Sequence, residues 1–250
     1  PLDLAVSGLA LDSRRVSAGT LFFALPGEKE DGGDFIAEAM ARGAACAVCE
    51  QPPEGERPYI LVPDAHKALA LCAAVWYGTP AGKMTLVGVT GTNGKTTTTY
   101  LIKQILERTR SARVGLIGTN QNLIGDKVVP TERTTPDALT VQRLLAQMAD
   151  AGCAYAVMEV SSHALMQSRV AGIHFRVGVF TNLTQDHLDY HGTMEAYCDA
   201  KARLFDQCGI ACVNGDDPWT RRLLARFAGE RVTFGQGMTN DLVGWRARYE

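Results

Sequence analysis

The sequence lacks an excess of charge of either sign: 25 Lys and Arg stand against 27 Asp and Glu over 250 residues, a formal net charge of −2. With no basic run, neither a nucleic-acid groove nor an anionic-membrane patch has anything to build on, and an anionic ligand must be held locally. Long apolar runs are missing as well. Stretches such as 69–77 are too short to span a bilayer, and no leader of charged, apolar and small residues opens the chain, so the expected compartment is the cytoplasm. The seven cysteines are an odd number spread through apolar segments, which suits reduced core thiols better than a bridged framework. Cys46 and Cys49 spell C-x-x-C, but they fall at an apolar strand where odd spacing sends the two side chains to opposite faces. No second pair matches them, so core packing is expected in place of zinc. Fixed-period repeats and low-complexity tracts are also absent.

What is present is a globular composition, 46% hydrophobic and 21% charged, at a length that predicts one or two domains. Strand patterns over 21–25, 45–48 and 59–62 alternate with helical ones over 34–42 and from a cap at Asp64 to 77. The breaker-rich segment 78–83 reads as a linker, dividing a domain 1–83 from a domain 84–250. Beyond it the expected order is strand 85–90, helix 95–109 with Leu101, Ile102, Ile105 and Leu106 on one face, strand 113–117, and a hairpin around Gly125-Asp126. A helix from Asp137 follows, with Thr135 as cap and Pro136 in the first helical position. Strands 155–159 and 175–180, helix 193–205, strand 210–214, helix 218–227 and strand 242–249 complete the chain. The predicted fold is α/β: a small N-terminal α/β domain, then a mostly parallel sheet of the P-loop ATPase type with helices on both faces. Such sheets bind ligands at the carboxyl ends of their strands.

The strongest motif is Gly88-Val89-Thr90-Gly91-Thr92-Asn93-Gly94-Lys95-Thr96-Thr97, set between a buried strand and a helix. Glycines let backbone N–H groups close around phosphate oxygens, a helix N-terminus adds positive potential, a lysine reaches the outer phosphates, and a threonine hydroxyl can ligate Mg²⁺. Val89 stands where the general phosphate-loop pattern has its first glycine, so the loop is a variant.

Other clusters follow other strands and so open at the same sheet edge. Glu159, in Met158-Glu159-Val160-Ser161-Ser162-His163, is either a magnesium ligand or a surface acid ending a strand. In the cluster 181–192, His187 and His191 stand four apart, but Leu188 occupies the place of the glutamate in a zinc-peptidase helix, which removes that reading. Lys201 falls inside the apolar helical stripe of Met194, Tyr197, Cys198, Leu204 and Phe205, where an ammonium must snorkel, pair with a carboxylate or change its chemistry. At 214–218, Asp217 reads as a helix cap and Asn214 as a residue facing a nucleotide.

Taken together in this order, Thr90 to Thr97, Glu159 to His163, Thr181-Asn182-Leu183, Asp186 to His191, and Asn214 with Asp216-Asp217 resemble the Mur ligases of peptidoglycan synthesis. The likeness is greatest to the branch that adds the third residue of the stem peptide, usually meso-diaminopimelate, to UDP-N-acetylmuramoyl-alanyl-glutamate. The resemblance implies amide formation with ATP and Mg²⁺ through an acyl phosphate, by a monomer. It implies that Gly91, Thr92, Asn93, Gly94, Lys95, Thr96 and Thr97, with Asn182 and Asn214, bind ATP. Thr96, Glu159 and His187 would hold magnesium, and Lys201 would react with CO₂ to become a carbamate, an anion in place of a buried cation. It further implies that Leu11, Ser13, Glu28, Lys29 and Glu30 seat the UDP moiety, while Thr134, Thr135, Ser161, Gln167 and Arg169 hold the muramoyl dipeptide. Glu28 and Arg133 depart from residues that some relatives carry. The family pattern continues past Glu250 with a third domain for the incoming amino acid, so the expected chain is one without that domain. Alternatives are another ligase of the superfamily, such as a folylpolyglutamate or cyanophycin synthetase, and a nucleotide-dependent binding module.

Overall fold

The structure is a computed structural model that describes residues 4–27 and 30–244. The chain divides into two compact units between Trp76 and Tyr77. In the first unit, β1 (Gly8–Ala10), β2 (Thr20–Phe23), α1 (Ile36–Ala41), β3 (Cys46–Cys49), β4 (Tyr59–Leu61) and α2 (Ala65–Trp76) build a parallel sheet in the order β1-β2-β3-β4. Its core gathers Phe22, Ala24, Ile36, Ala39, Ala47 and Cys49, with Cys46 equally buried, so both thiols of the C-x-x-C pack and neither is bridged. Asp64 caps α2 through a 2.7 Å bond from Lys67 N, where the sequence places it. The helix expected over 34–42 begins instead as a 3-10 turn at Gly32–Phe35, because Asp31 takes the capping role by accepting from Gly33 N.

The predicted linker is structured. Pro80–Lys83 forms a 3-10 turn whose Ala81, with Met84 after it, packs on the core of the second unit. From there run β5 (Thr85–Thr90), α3 (Lys95–Arg110), β6 (Val114–Ile117), β7 (Asn122–Ile124), β8 (Lys127–Val129), α4 (Ala138–Asp150), β9 (Tyr155–Glu159) and α5 (Ser162–Met166). They are followed by β10 (Phe175–Phe180), α6 (Leu188–His191), α7 (Met194–Ala202), β11 (Cys208–Asn214), α8 (Thr220–Leu223), β12 (Glu230–Gly235) and β13 (Leu242–Val243). Among the described residues the sheet has the order β13-β12-β11-β10-β5-β9-β6-β7-β8, parallel throughout except for the meander β6-β7-β8. The hairpin turns at Gly125, whose φ of 60° suits a residue without Cβ. Residues 245–250, the rest of the expected last strand, lie outside the described set.

The β5 and β9 strands are apolar on both sides because each side meets a layer. Val87, Val89, Val114, Val157 and Val179 pack with Ile102 and Leu106 of α3 on one face. Leu86, Ala156, Met158 and Phe180 face the opposite core with Val141, Leu144 and Leu145 of α4 and Tyr197 and Cys198 of α7. Period-2 alternation between two covered faces is what a near-continuous apolar run encodes. The expected stripe on α3 is narrower than four residues: Leu101 and Ile105 are exposed, while Thr99 and Lys103 turn inward beside Ile102 and Leu106. Lys103 is held there by an i,i+4 ion pair to Glu107.

Two further corrections concern helix ends. Thr135 does not cap α4. Asp137 does, accepting from Thr140 N at 2.9 Å, since a carboxylate is the stronger acceptor at a helix N-terminus, and Thr135 donates to Glu159 O instead. The helix expected over 218–227 keeps only α8, after which Ala225 N bonds Arg222 O and Phe227 N bonds Leu224 O. These tighter turns bring Leu223, Leu224 and Phe227 into the core.

Candidate active site

Register sets the site. Thr90 lies opposite Phe180, Val89 opposite Glu159, Ile117 opposite Met158, and Phe180 opposite Val213, so the carboxyl ends of β5, β6, β9, β10 and β11 form one edge. From β5 the chain builds β6 to β9 on one side and then crosses to β10 and β11 on the other, the arrangement that opens a crevice at a strand-order reversal.

The phosphate-loop motif forms the turn from β5 into α3. Val89, the departure from the general pattern, is fully buried inside β5, so the loop proper is Gly91 to Gly94. Gly91 adopts φ 141°, and a Cβ there would stand 1.9 Å from Thr181 Oγ1. The loop following β10 clamps the turn from outside. Thr92 N donates to Asn182 O, Asn93 N donates to Asn182 Oδ1, Asn182 Nδ2 donates to Asn93 O, and Thr181 Oγ1 donates to Asn93 O. Thr184 N bonds Thr92 Oγ1 at 3.0 Å, and Thr92 Oγ1 lies 3.4 Å from Tyr197 OH. A Gly91→Ala protein is therefore expected to lose this clamp, with nucleotide affinity falling at least about tenfold and α3 protection in hydrogen exchange reduced near its N-terminus. Unaltered affinity in that variant would show the clamp to be dispensable.

Lys95 Nζ donates to Gly91 O at 2.9 Å and to Thr92 O at 2.8 Å, curling over its own loop. Burial lowers its pKa, against the opposing pull of Glu159 and Asp186. With Thr92, Asn93, Gly94, Thr96, Thr97, Thr119, Thr134 and Glu159 it lines a cleft of ≈ 350 Å³. An anion in that cleft meets an ammonium and the N-terminal end of the 16-residue α3.

Glu159 is fully buried, so the surface-acid reading fails. Its Oε2 accepts from Thr96 Oγ1 at 3.0 Å and from Thr119 Oγ1 at 3.0 Å, and its Oε1 accepts from Thr119 N at 2.8 Å. Among the described residues no cluster of three or more His, Cys, Asp or Glu could cage a metal. The Thr96–Glu159 pair still fits magnesium, which takes oxygen ligands and usually one or two carboxylates completed by substrate phosphates.

Lys201 does not snorkel. It is 1% exposed, its Nζ donates to Gly91 O at 2.9 Å, and it lies 4.3 Å from the centroid of the Tyr197 ring. Burial, reinforced by the neighbouring charge of Lys95, pushes its pKa down to about 7. Both lysines thus converge on one carbonyl, with Lys201 poorly disposed to carry a proton.

His187 occupies the position before α6 with φ 50° and makes no side-chain capping bond; its Nε2 lies 3.5 Å from Asp186 Oδ2 and its ring is edge-on to His163 at 5.0 Å and to Tyr197 at 6.1 Å. His191 turns elsewhere, with Nε2 2.9 Å from Ser162 Oγ and its ring stacked on Tyr197 at 4.9 Å. Burial, with His163, Lys201 and His187 adding, takes its pKa down to about 4, so it is neutral near pH 7.

A second cleft of ≈ 400 Å³ adjoins the first, sharing Thr119 and Thr134, and is lined also by Arg133, Thr135, Ser161, His163, Arg169 and His187. Arg169 donates to Thr135 O at 2.7 Å and, through Nε and Nη2, to Gln167 Oε1 at 3.0 and 2.6 Å. Gln167 thereby orients the guanidinium. Ser161 caps α5, accepting from Ala164 N. Asn214 donates from Nδ2 to Thr181 O, and Asp217 accepts from Leu183 N and Trp219 N, so both fasten the clamp loop to β11 and α8.

In the first unit, Ser13 Oγ donates to Glu38 Oε2 at 2.7 Å, beside a turn capped by Asp12, with Leu11 half-buried and Glu30 exposed. Glu28 and Lys29 lie outside the described residues. Sequence reasoning missed Thr119, which stands alone after β6 with no motif around it. Tyr197 stands out in the sequence only as part of an apolar stripe.

Comparison with known proteins agrees with this geometry. The family description "Mur ligase family, catalytic domain" matches residues 5–77, and "Mur ligase middle domain" matches residues 89–249. A UDP-N-acetylmuramoyl-L-alanyl-D-glutamate--2,6-diaminopimelate ligase of Geobacillus kaustophilus is 47% identical over an alignment of 252 positions that covers 97% of this chain and 51% of that protein. A solved structure of a ligase of the same name superposes with a TM-score of 0.81 at 31% identity, covering 94% of this chain and 50% of that one. The MurF ligase of Thermotoga maritima in complex with ADP gives a TM-score of 0.61 at 25% identity, over 100% of this chain and 55% of its own. The chain thus spans about half the length of the relatives it matches. From its sheet edge, its phosphate loop and these likenesses, the chain belongs to the Mur ligase family.

Proposed function

We propose that this chain provides the substrate- and ATP-binding parts of an amide ligase that joins a diamino acid, meso-diaminopimelate, to UDP-N-acetylmuramoyl-L-alanyl-D-glutamate in peptidoglycan synthesis. The observation that carries the reading is the meeting of Lys95, Glu159 and Lys201 at one end of the sheet, beside a cleft that presents Arg169. The names of the relatives supply the substrate class.

In this reading Gly91 to Thr97 bind the ATP phosphates, with Asn182 and Asn214 shaping the nucleotide side of the crevice through the clamp loop. Thr134, Thr135, Ser161, Gln167 and Arg169 seat the muramoyl dipeptide, and Arg169 is suited to a carboxylate because its fork can bond both oxygens. Leu11, Ser13, Glu28, Lys29 and Glu30, in the first unit, take the UDP moiety. The glutamyl carboxylate attacks the γ-phosphorus and ADP leaves. The amine of the diamino acid then adds to the acyl phosphate, loses its proton, and phosphate departs with the P–O bond intact. Lys95 offsets charge that develops on the transferring group. Thr96, Glu159, His187 and a carbamate on Lys201 would hold Mg²⁺, which lowers the repulsion between nucleophile and phosphates when bound. Lys201 suits carbamate formation because only a neutral amine adds to CO₂, and the addition releases a proton and replaces a buried cation by an anion. The reaction is assigned to the cytoplasm and to a monomer; among the described residues no helix is long and apolar enough to cross a membrane.

The test is a ligation assay of the intact protein with ATP, Mg²⁺ and UDP-N-acetylmuramoyl-L-alanyl-D-glutamate. Product is expected with diaminopimelate and little with lysine. Preference for lysine would correct the amino acid, and ligation only of a folate or a polypeptide would overturn the assignment.

A further inference from the structure

This inference rests on the magnesium-holding reading of Glu159 and concerns residues outside that reading. Among the described residues the hydrogen bonds to the Glu159 carboxylate come from two threonines. Thr96 reaches one oxygen, whereas Thr119 reaches both, through its backbone N–H to Oε1 at 2.8 Å and its hydroxyl to Oε2 at 3.0 Å. A single bond leaves a carboxylate free to turn about Cγ–Cδ. Two bonds from one residue, one to each oxygen, set its plane. The approach of the chain is close as well, for a Cβ on Gly118 would stand 2.5 Å from Glu159 Oε1.

Thr119 is also placed to be held itself. Its Oγ1 lies 3.1 Å from Thr134 Oγ1 and carries one proton, which belongs with the carboxylate as the stronger acceptor. Thr134 Oγ1 is the second acceptor of that one proton, and the two threonines stand together in the wall shared by the two clefts.

We propose that Thr119, with Gly118 admitting it, is a positioning residue that locks the Glu159 carboxylate so that Oε2 stays turned toward Thr96 and the nucleotide cleft. A group that only filled space would support the fold without affecting how metal and nucleotide bind together. A group that aims a ligand acts on the metal-dependent part alone, and loss of such an outer partner typically lowers metal affinity about 10- to 100-fold.

The experiment is calorimetric titration of the full chain with ADP, once with Mg²⁺ and once with EDTA. Thr119→Val, which keeps shape and backbone N–H but removes the hydroxyl, is expected to weaken Mg·ADP binding by about 10-fold or more while metal-free ADP binding is unchanged. Thr119→Ser should restore the wild-type value. Gly118→Ala leaves every hydroxyl in place and displaces Oε1, and it should also lose the metal-dependent part. Glu159→Gln serves as reference. If it loses the Mg²⁺ effect while Thr119→Val and Gly118→Ala keep it, the positioning role is overturned and the metal reading stands. If Glu159→Gln itself keeps the Mg²⁺ effect, the metal reading falls and the inference with it. Should Thr119→Val fail to fold by its melting curve, an undiminished Mg²⁺ effect in Gly118→Ala overturns the proposal.

Discussion

Replacing Lys95 with alanine is expected to lower ATP-dependent turnover of the intact protein by about 10³-fold, the order seen when a preorganised charge or donor is taken from a developing anion. The side chain crosses its loop to bond Gly91 O and Thr92 O, inside the cleft that α3 opens onto. A phosphate arriving there exchanges those two carbonyls for a full negative charge, so the ammonium gains most from the transition state. The second cleft, with Thr135, Ser161 and Arg169 and proposed for the dipeptide, does not draw on Lys95. Affinity for UDP-N-acetylmuramoyl-L-alanyl-D-glutamate should therefore stay near wild type by calorimetry. Equal loss of both in a folded protein would contradict a nucleotide role separable from substrate binding.

The second large effect concerns Lys201. Lys201→Ala is expected to lower turnover by about 10²-fold or more and to regain part of it when formate or acetate is added, because a small carboxylate can enter the volume left by the side chain and supply the lost anion. The pH sense follows from the lowered pKa of about 7. Below that value the amine is protonated and closed to CO₂; above it the neutral amine predominates. At fixed dissolved CO₂, a carbamate signal from ¹³C-bicarbonate should grow as pH rises through about 7 in the wild type and be missing in Lys201→Ala. Unchanged turnover in Lys201→Ala would remove the carbamate from the account.

Much of this site was legible because its chemistry coincides with strong local signals. The β-branched run of β5, the glycines after it and the helix beginning at Lys95 fall where the pattern puts them, and β9 and β10 match residue for residue. Lys201 was found by the opposite signal, a charge in an apolar stripe. Other features have no local trace. Thr119 is one threonine after a strand, and its importance lies in a contact with Glu159 forty positions away. The stripe on α3 misled because four apolar residues at helical spacing span more arc than a sheet can cover, and the sheet takes Ile102 and Leu106 while Leu101 and Ile105 stay outside. Thr135 was displaced as a cap by the carboxylate of Asp137, a competition that residue types alone do not decide. β1 and β12 were missed since each is short or has exposed positions, without the alternation that marks a half-buried strand.

Asn182 and Asn214 illustrate a different limit. Their positions after strands suggest contact with a nucleotide, yet their side chains bond the phosphate loop and the clamp loop. In this structure they fix the shape of the loop that is proposed to hold ATP.

The claim on which the rest depends is that ATP phosphorylates the substrate carboxylate in this site. It is tested most directly by supplying UDP-N-acetylmuramoyl-L-alanyl-D-glutamate with ¹⁸O in its glutamyl carboxylate, together with ATP, Mg²⁺ and diaminopimelate, and analysing the released phosphate by ³¹P NMR. An acyl phosphate transfers one labelled oxygen to each phosphate formed. Unlabelled phosphate accompanying amide product, or formation of AMP and pyrophosphate, would contradict the account.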